Sequence, residues 1–182
     1  GLSFGLEAAG LEGMLGVEID KTAAMTYEQN FNHKCLIKDI RELTGQQLID
    51  IVGVKPDLLA GGPPCQGFST VGKRDKFDKR NSLVGEFIRI ASEISPEFIL
   101  IENVLGLKDM DFVPHIEKAL LDIGYTITHH ILTSAEYGVP QLRRRIIFVG
   151  SKSGNKFLPP KVTHSPQNYI SVEQAIGDLP VI

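Results

Sequence analysis

Three stretches decide the fold: DLLAGGPP at residues 57–64, LVGEFIRIASEI at 83–94 and EFILI at 97–101. The first is a short apolar run stopped by two glycines and two prolines, which reads as a buried strand entering a turn. The second carries apolar residues at helical spacing, and the third is an apolar run of strand length. Strand, helix and strand in that order is the unit from which parallel sheets are built, because a parallel pair needs a long crossover.

The same alternation continues in both directions. Ser3 to Ala9 reads as a helical turn or two, Met14 to Asp20 (MLGVEID) as a strand, Lys21 to Asn30 as a helix, Cys35 to Ile37 as a strand and Gly45 to Val52 as a helix. Downstream come a helix over Phe112 to Ile123 closed by Gly124, strands over Tyr125 to Leu132 and Ile146 to Gly150, and a proline-rich and polar stretch after Ser151. The expectation is an α/β fold with a doubly wound, mostly parallel sheet, whose ligands sit beyond the carboxyl ends of the strands.

A chain of 182 residues is about one domain. With 42% hydrophobic and 23% charged residues it can build a packed core, which excludes disorder and fibrous repeats. No apolar run approaches the roughly 20 residues of a membrane span, and no basic, then apolar, leader opens the chain, so a soluble protein is expected. Two cysteines, Cys35 and Cys65, cannot form a disulfide framework and point to a reducing compartment. The chain starts at Gly1 without an initiator methionine, as a fragment would.

Net charge is −3, but it is unevenly spread. Lys73 to Arg80 holds five basic and two acidic residues, and Arg143, Arg144 and Arg145 add three more. Removing both windows leaves 19 − 8 = 11 basic and 22 − 2 = 20 acidic residues, a net of −9. Basic charge concentrated in two short stretches suits local phosphate contacts, although a run of this kind is equally a solvated face.

Candidate site residues stand at strand ends. Glu18 lies 17 residues after Gly1, close to the roughly 20-residue spacing at which dinucleotide-type folds place a ribose-binding carboxylate. Asp39 follows the next strand and is an acceptor for an adenine amino group, while Ile19 offers an apolar face to a purine. Each acid is by itself also an ordinary strand end. GGPPCQGFS at 61–69 holds Cys65 on a constrained loop after a strand, the place for a nucleophile, or else a structural turn with an incidental thiol. Cys35, inside an apolar strand, reads as a buried structural cysteine. Glu102 ends the EFILI strand at the same sheet edge, and alternation puts Arg143 and Arg145 on one face of the last strand, suited to a carbonyl or phosphate oxygen. His129 and His130 point to opposite faces and no Cys/His spacing matches zinc, so no metal is expected.

In this order, the GVEID strand, GGPPCQGFS, ENV and QLRRR resemble the motifs of the cytosine-5 DNA methyltransferases, over nearly the whole chain. The resemblance implies a Rossmann-like S-adenosylmethionine-dependent methyltransferase fold. It also implies methyl transfer to carbon 5 of a cytosine flipped out of double-stranded DNA, through a covalent cysteine adduct, in bacterial restriction-modification. Flipping is required because the reacting carbon is stacked inside the duplex.

Carried over by position, the resemblance makes Cys65 the nucleophile that attacks carbon 6. Glu102 engages ring nitrogen 3 and the exocyclic amine, Arg145 contacts the cytosine oxygen, and Arg143 helps position the base. It does not identify the base that takes the carbon 5 proton. S-adenosylmethionine, leaving as S-adenosylhomocysteine, is implied to meet Gly1, Glu18, Ile19, Asp39, Ile40, Pro64 and Leu83. Gln66, Ser69 and the basic residues Lys73, Arg74, Lys79 and Arg80 are implied DNA contacts within a catalytic loop region at 61–82.

The resemblance places the family's first strand and glycine-rich turn before Gly1, so this chain is expected to lack them. Ile19 stands where many members carry an aromatic residue. The resemblance implies that the segment 151–182 leads toward a target recognition domain, which is expected to lie outside this chain. The chain therefore reads as a partial catalytic domain over 1–182, inactive alone, monomeric unless a second chain or missing segments supply the recognition domain, and cytoplasmic in a bacterium or nuclear in a eukaryote. The open alternatives are a transfer-RNA cytosine-5 methyltransferase and an inactive regulatory or DNA-binding relative.

Overall fold

The structure is a computed structural model that describes residues 1–64, 83–105 and 113–180. Its elements run in the order α1 (Leu2–Ala8), β1 (Gly16–Glu18), α2 (Lys21–Asn30), β2 (Cys35–Ile37), a 3-10 turn (Ile40–Glu42), α3 (Gly45–Val52), β3 (Leu58–Gly61), α4 (Leu83–Ile94), β4 (Phe98–Val104), α5 (Val113–Asp122), β5 (Thr126–Thr133), a second 3-10 turn (Ser134–Tyr137), β6 (Arg144–Ser151) and α6 (Val172–Ile176). The α/β alternation expected from the sequence is present, and the chain divides into two compact units, Gly1–Ile99 and Leu100–Ile182.

In the first unit, β1 and β2 pair in parallel, with Gly16 opposite Cys35, Val17 opposite Leu36 and Glu18 opposite Ile37. Local chemistry sets the helix boundaries. The Asp20 side chain accepts from the Ala23 backbone N–H at 2.8 Å and starts α2. Thr44 and Gln47 form a reciprocal capping box at the start of α3, and Gly53, at φ 84°, closes that helix in the left-handed conformation that glycine adopts without strain. Helix α4 buries Val84, Phe87, Ile90, Ala91 and Ile94, the i, i+3, i+4, i+7 stripe of an amphipathic helix. Ile90 and Ile94 join Leu43 and Leu48 in a core cluster onto which Val17, Leu36, Ile40 and Leu59 pack. Gly45 lies so close to α4 that a Cβ there would meet Cβ of Glu93 at 2.6 Å.

In the sheet of the second unit β6 lies between β4 and β5. Along β4 the residues Ile99, Ile101 and Asn103 are buried and alternate with less buried neighbours, the period of a strand. In the second unit, β5 and β6 are antiparallel, with His129 opposite Phe148 and Thr133 opposite Arg144. Antiparallel pairing departs from the parallel pattern here for a simple reason: the connection from Thr133 to Arg144 is too short for the crossover that a parallel pair needs. Phe148, Ile146, Leu120, Ile116 and Tyr125 are all but fully buried and form the core of this unit. Strand β6 begins at Arg144, two residues before the start expected from hydropathy, because Arg144 and Arg145 pair with β5 through their backbones despite their charge. Downstream of Ser151 the chain carries little regular structure before α6.

Candidate active site

The acceptors proposed for a nucleoside stand together in the first unit, since β1 and β2 are adjacent and parallel and end side by side. Glu18 is the last residue of β1, and its Oε1 accepts from the backbone N–H of Ile19 at 2.8 Å and of Asp20 at 3.0 Å, which turns the carboxylate over the strand end. Asp39 follows β2 by two residues. Its side chain caps the 3-10 turn by accepting from the Arg41 N–H at 2.9 Å, and both its oxygens accept from the Arg41 guanidinium, Oδ1 from Nε at 3.0 Å. Hydrogen bonds from the Arg41 side chain, then from its backbone, hold the Asp39 carboxyl down to about 2. Ile19 leaves 63% of its surface exposed, an apolar side chain bare to solvent beside two carboxylates. Ile40 is partly buried against the core, Gly1 caps α1, Pro64 is exposed after β3, and Leu83 is exposed at the start of α4.

Arg89 of α4, which the sequence reading passed over, fixes the Asp39 turn in place. Its Nη2 donates to the carbonyls of Ile40 at 3.0 Å and Leu43 at 2.9 Å, while Nε and Nη1 pair with Glu86 and Glu93. Glu93 in turn accepts from the Gly45 N–H at 2.6 Å. The i, i+3 and i, i+4 spacing of Glu86, Arg89 and Glu93 was legible as helix ion pairs, but the reach to the two carbonyls is tertiary.

In the second unit a carboxylate and two guanidinium groups converge. Glu102 lies on β4 and Arg145 on β6, which are neighbours in the sheet. Arg145 Nε is 2.7 Å from Glu102 Oε1, and Arg143 Nη2 is 3.5 Å from the same oxygen. The Nε of Arg145 is buried and makes no aligned hydrogen bond, so the contact is an ion pair rather than a directed N–H···O bond. Arg145 Nη1 donates to the Arg144 carbonyl at 2.8 Å, which holds the guanidinium against the strand. The chain entering β6 is tied down where the Ser134 N–H donates to the Arg143 carbonyl at 2.8 Å. One acceptor and two planar donors on one edge can bind a flat heterocycle that carries both a carbonyl and an amino group.

Cys35 is buried, and burial, then Glu18 and Glu28, push its thiol up, which suits a structural cysteine. His129 pairs with Glu117 at 2.7 Å and His130 contacts the Phe157 carbonyl at 2.9 Å, so the two rings serve opposite faces of β5. Cys65, Gln66, Ser69, Lys73, Arg74, Lys79 and Arg80 lie outside the described residues. Among the described residues no group of three or more His, Cys, Asp or Glu side chains could hold a metal ion, and no helix is long and apolar enough to cross a membrane.

This α/β chain, with carboxylates where two adjacent parallel strands end and with Glu102 of β4 facing Arg143 and Arg145 at the entry to β6, has the fold of the S-adenosylmethionine-dependent methyltransferases. The chain belongs to the C-5 cytosine-specific DNA methylase family, whose model matches residues 1–181. It is 40% identical to the type II methyltransferase M.DdeI of Desulfomicrobium norvegicum, over all of this chain and 46% of the relative. It is 38% identical to the type II methyltransferase M.XorII of Xanthomonas oryzae, over 99% of this chain and 44% of the relative. The crystal structure of a proposed DNA modification methyltransferase from an E. coli prophage superposes with a TM-score of 0.80 at 31% identity, covering 100% of this chain and 52% of the other. The chain thus spans about half the length of the curated relatives it matches.

Proposed function

We propose that the protein is a DNA (cytosine-5-)-methyltransferase of the restriction-modification type. It would transfer a methyl group from S-adenosylmethionine to carbon 5 of a cytosine flipped out of double-stranded DNA. The observation that carries this reading is the convergence of Arg145 and Arg143 on Glu102. Cytosine presents a ring nitrogen and an exocyclic amine to a carboxyl group and a carbonyl oxygen to a guanidinium, and that group of residues offers both.

In the reaction the Cys65 thiolate adds to carbon 6, and the electrons of the 5,6 double bond move to carbon 5. Glu102, at ring nitrogen 3, and Arg145, at the carbonyl oxygen, stabilise the charge that the ring gains. Arg143 holds the base and shares the Glu102 carboxylate. After carbon 5 is methylated its proton leaves to a base, the bond from carbon 6 to sulfur breaks, and the 5,6 double bond re-forms with release of Cys65.

The residues of the first unit fit the nucleoside of the cofactor. Glu18 suits the ribose hydroxyls, Asp39 the adenine amino group, and exposed Ile19 the face of the ring, with Gly1, Ile40, Pro64 and Leu83 as further wall. When bound, S-adenosylmethionine supplies an electrophilic methyl group and leaves as S-adenosylhomocysteine. Gln66, Ser69, Lys73, Arg74, Lys79 and Arg80 are the proposed phosphate and loop contacts. Segments beyond this chain, in the same polypeptide or a second one, would supply target recognition, and two cysteines outside any disulfide framework suit a reducing cytoplasm.

The test is covalent trapping. With S-adenosylmethionine present, the full protein should become attached to a duplex carrying 5-fluorocytosine at its target, because fluorine cannot leave as a proton does. Cys65→Ala should yield no adduct, and an adduct that survives this substitution removes Cys65 from the reaction.

A further inference from the structure

We infer that Arg41 is a built-in competitor for the adenine amino group at Asp39, so that the cofactor binds by displacing a side chain of the protein itself. The inference rests on the reading of Asp39 as the adenine acceptor. Arg41 covers the carboxylate closely: its Nε spans both oxygens at 3.0 Å, Nη2 takes Oδ2 and its backbone N–H takes Oδ1. Only 15% of the Asp39 side chain is exposed, whereas 63% of the Arg41 side chain is. The cover is therefore the solvent-exposed partner and the acceptor the enclosed one.

The acceptor is fixed because the turn behind it cannot follow a movement of Arg41. Arg89 clamps the Ile40 and Leu43 carbonyls, and Glu86 and Glu93 hold Arg89. The nearby carboxylate of Glu42, which stands in the same 3-10 turn, also acts on the Arg41 guanidinium electrostatically. A donor arriving at Asp39 meets an oxygen already in use, and its apparent affinity is the intrinsic affinity multiplied by the fraction of time that Arg41 is away. Salt loosens an exposed ion pair of this kind, so screening should favour the ligand instead of opposing it.

The experiment measures S-adenosylhomocysteine binding to the full protein by calorimetry, at low and at moderate salt, for the wild type, Arg41→Ala, Arg41→Gln and Asp39→Ala. Arg41 is exposed and both of its variants should fold. The expected result is binding tighter by about two- to fivefold in Arg41→Ala and Arg41→Gln at low salt, a gap that narrows as salt rises because only the wild type gains. Asp39→Ala should bind more weakly than the wild type. If Asp39→Ala binds as the wild type does, Asp39 is not the acceptor and the underlying reading fails. If Asp39→Ala weakens binding while both Arg41 variants bind no more tightly than the wild type, the acceptor stands and the competition is refuted.

Discussion

Arg145 Nε stands 2.7 Å from Glu102 Oε1, across two neighbouring strands, with 21% of the Arg145 side chain exposed. Arg143 reaches the same oxygen from 3.5 Å and is 47% exposed. The two arginines are therefore unequal: one is fixed against the sheet, and the other is a longer, better hydrated contact. Charge placed in advance where a reaction will develop it is worth most where water is excluded.

Glu102→Gln keeps the shape and loses the charge and the exchangeable proton. It should lower kcat by about 10²- to 10³-fold and change the duplex Kd by no more than about threefold. Single-turnover methylation and equilibrium DNA binding, measured on the same preparation, separate the two effects. Equal losses in both would make Glu102 a binding residue only.

Replacing each arginine by lysine tests the inequality. Lysine keeps the charge but not the planar donor fork. Arg145→Lys should cost about 10²-fold in kcat/KM, and Arg143→Lys no more than about tenfold. The reverse order would mean that the shorter contact is not the one that matters in the reaction.

Asp39 carries an acid-linked share of stability whose sign follows from its depressed carboxyl. Folding lowers it from 3.8 to about 2 through the Arg41 hydrogen bonds, so the contribution is whole above 3.8 and is lost as pH falls through about 2. Asp39→Asn retains a capping side chain and removes the titration. The Tm gap between wild type and variant should be constant above pH 3.8 and close toward pH 2, and the gap is small because the pair is screened by solvent. A gap independent of pH down to pH 2 would contradict the pairing.

Gly45→Ala places a Cβ 2.9 Å from the Ile94 backbone nitrogen and 3.0 Å from the Glu93 carbonyl carbon. Backbone cannot yield as a flexible side chain does, so α3 and α4 must separate, at a cost of about 1–3 kcal/mol. Urea denaturation should show a lower midpoint with an unchanged m-value. An unchanged midpoint would show that the two helices tolerate a wider spacing.

Much of the fold was legible because its signals are local. Helices α2, α3 and α4 run over the residues that hydropathy indicated, since Asp20, the Thr44 and Gln47 box, Gly53 and the apolar stripe of α4 act within a turn or two of the chain. Strand β6 was less legible. Its first residues are arginines, and their pairing with Leu132 and Thr133 is decided by β5, which no window around residue 144 contains. Glu102 was expected to follow a strand ending at Ile101, but β4 runs on to Val104 and holds Glu102 within it, and its two arginine partners depend on β4 and β6 being neighbours.

By itself the sequence determined the α/β alternation, the place of Glu18 at the end of β1 and of Asp39 just after β2, and the motifs that mark the family. Periodicity, capping and turn chemistry are short-range, and the chain spells them out. Only the tertiary structure decided that β5 and β6 run antiparallel, that Arg145 closes on Glu102 more tightly than Arg143, that Arg89 clamps the turn after Asp39, and that Arg41 covers the carboxylate there. Most of these contacts join residues far apart in the chain. Even the near one, Asp39 with Arg41, depends on the 3-10 turn that Arg89 holds from another helix.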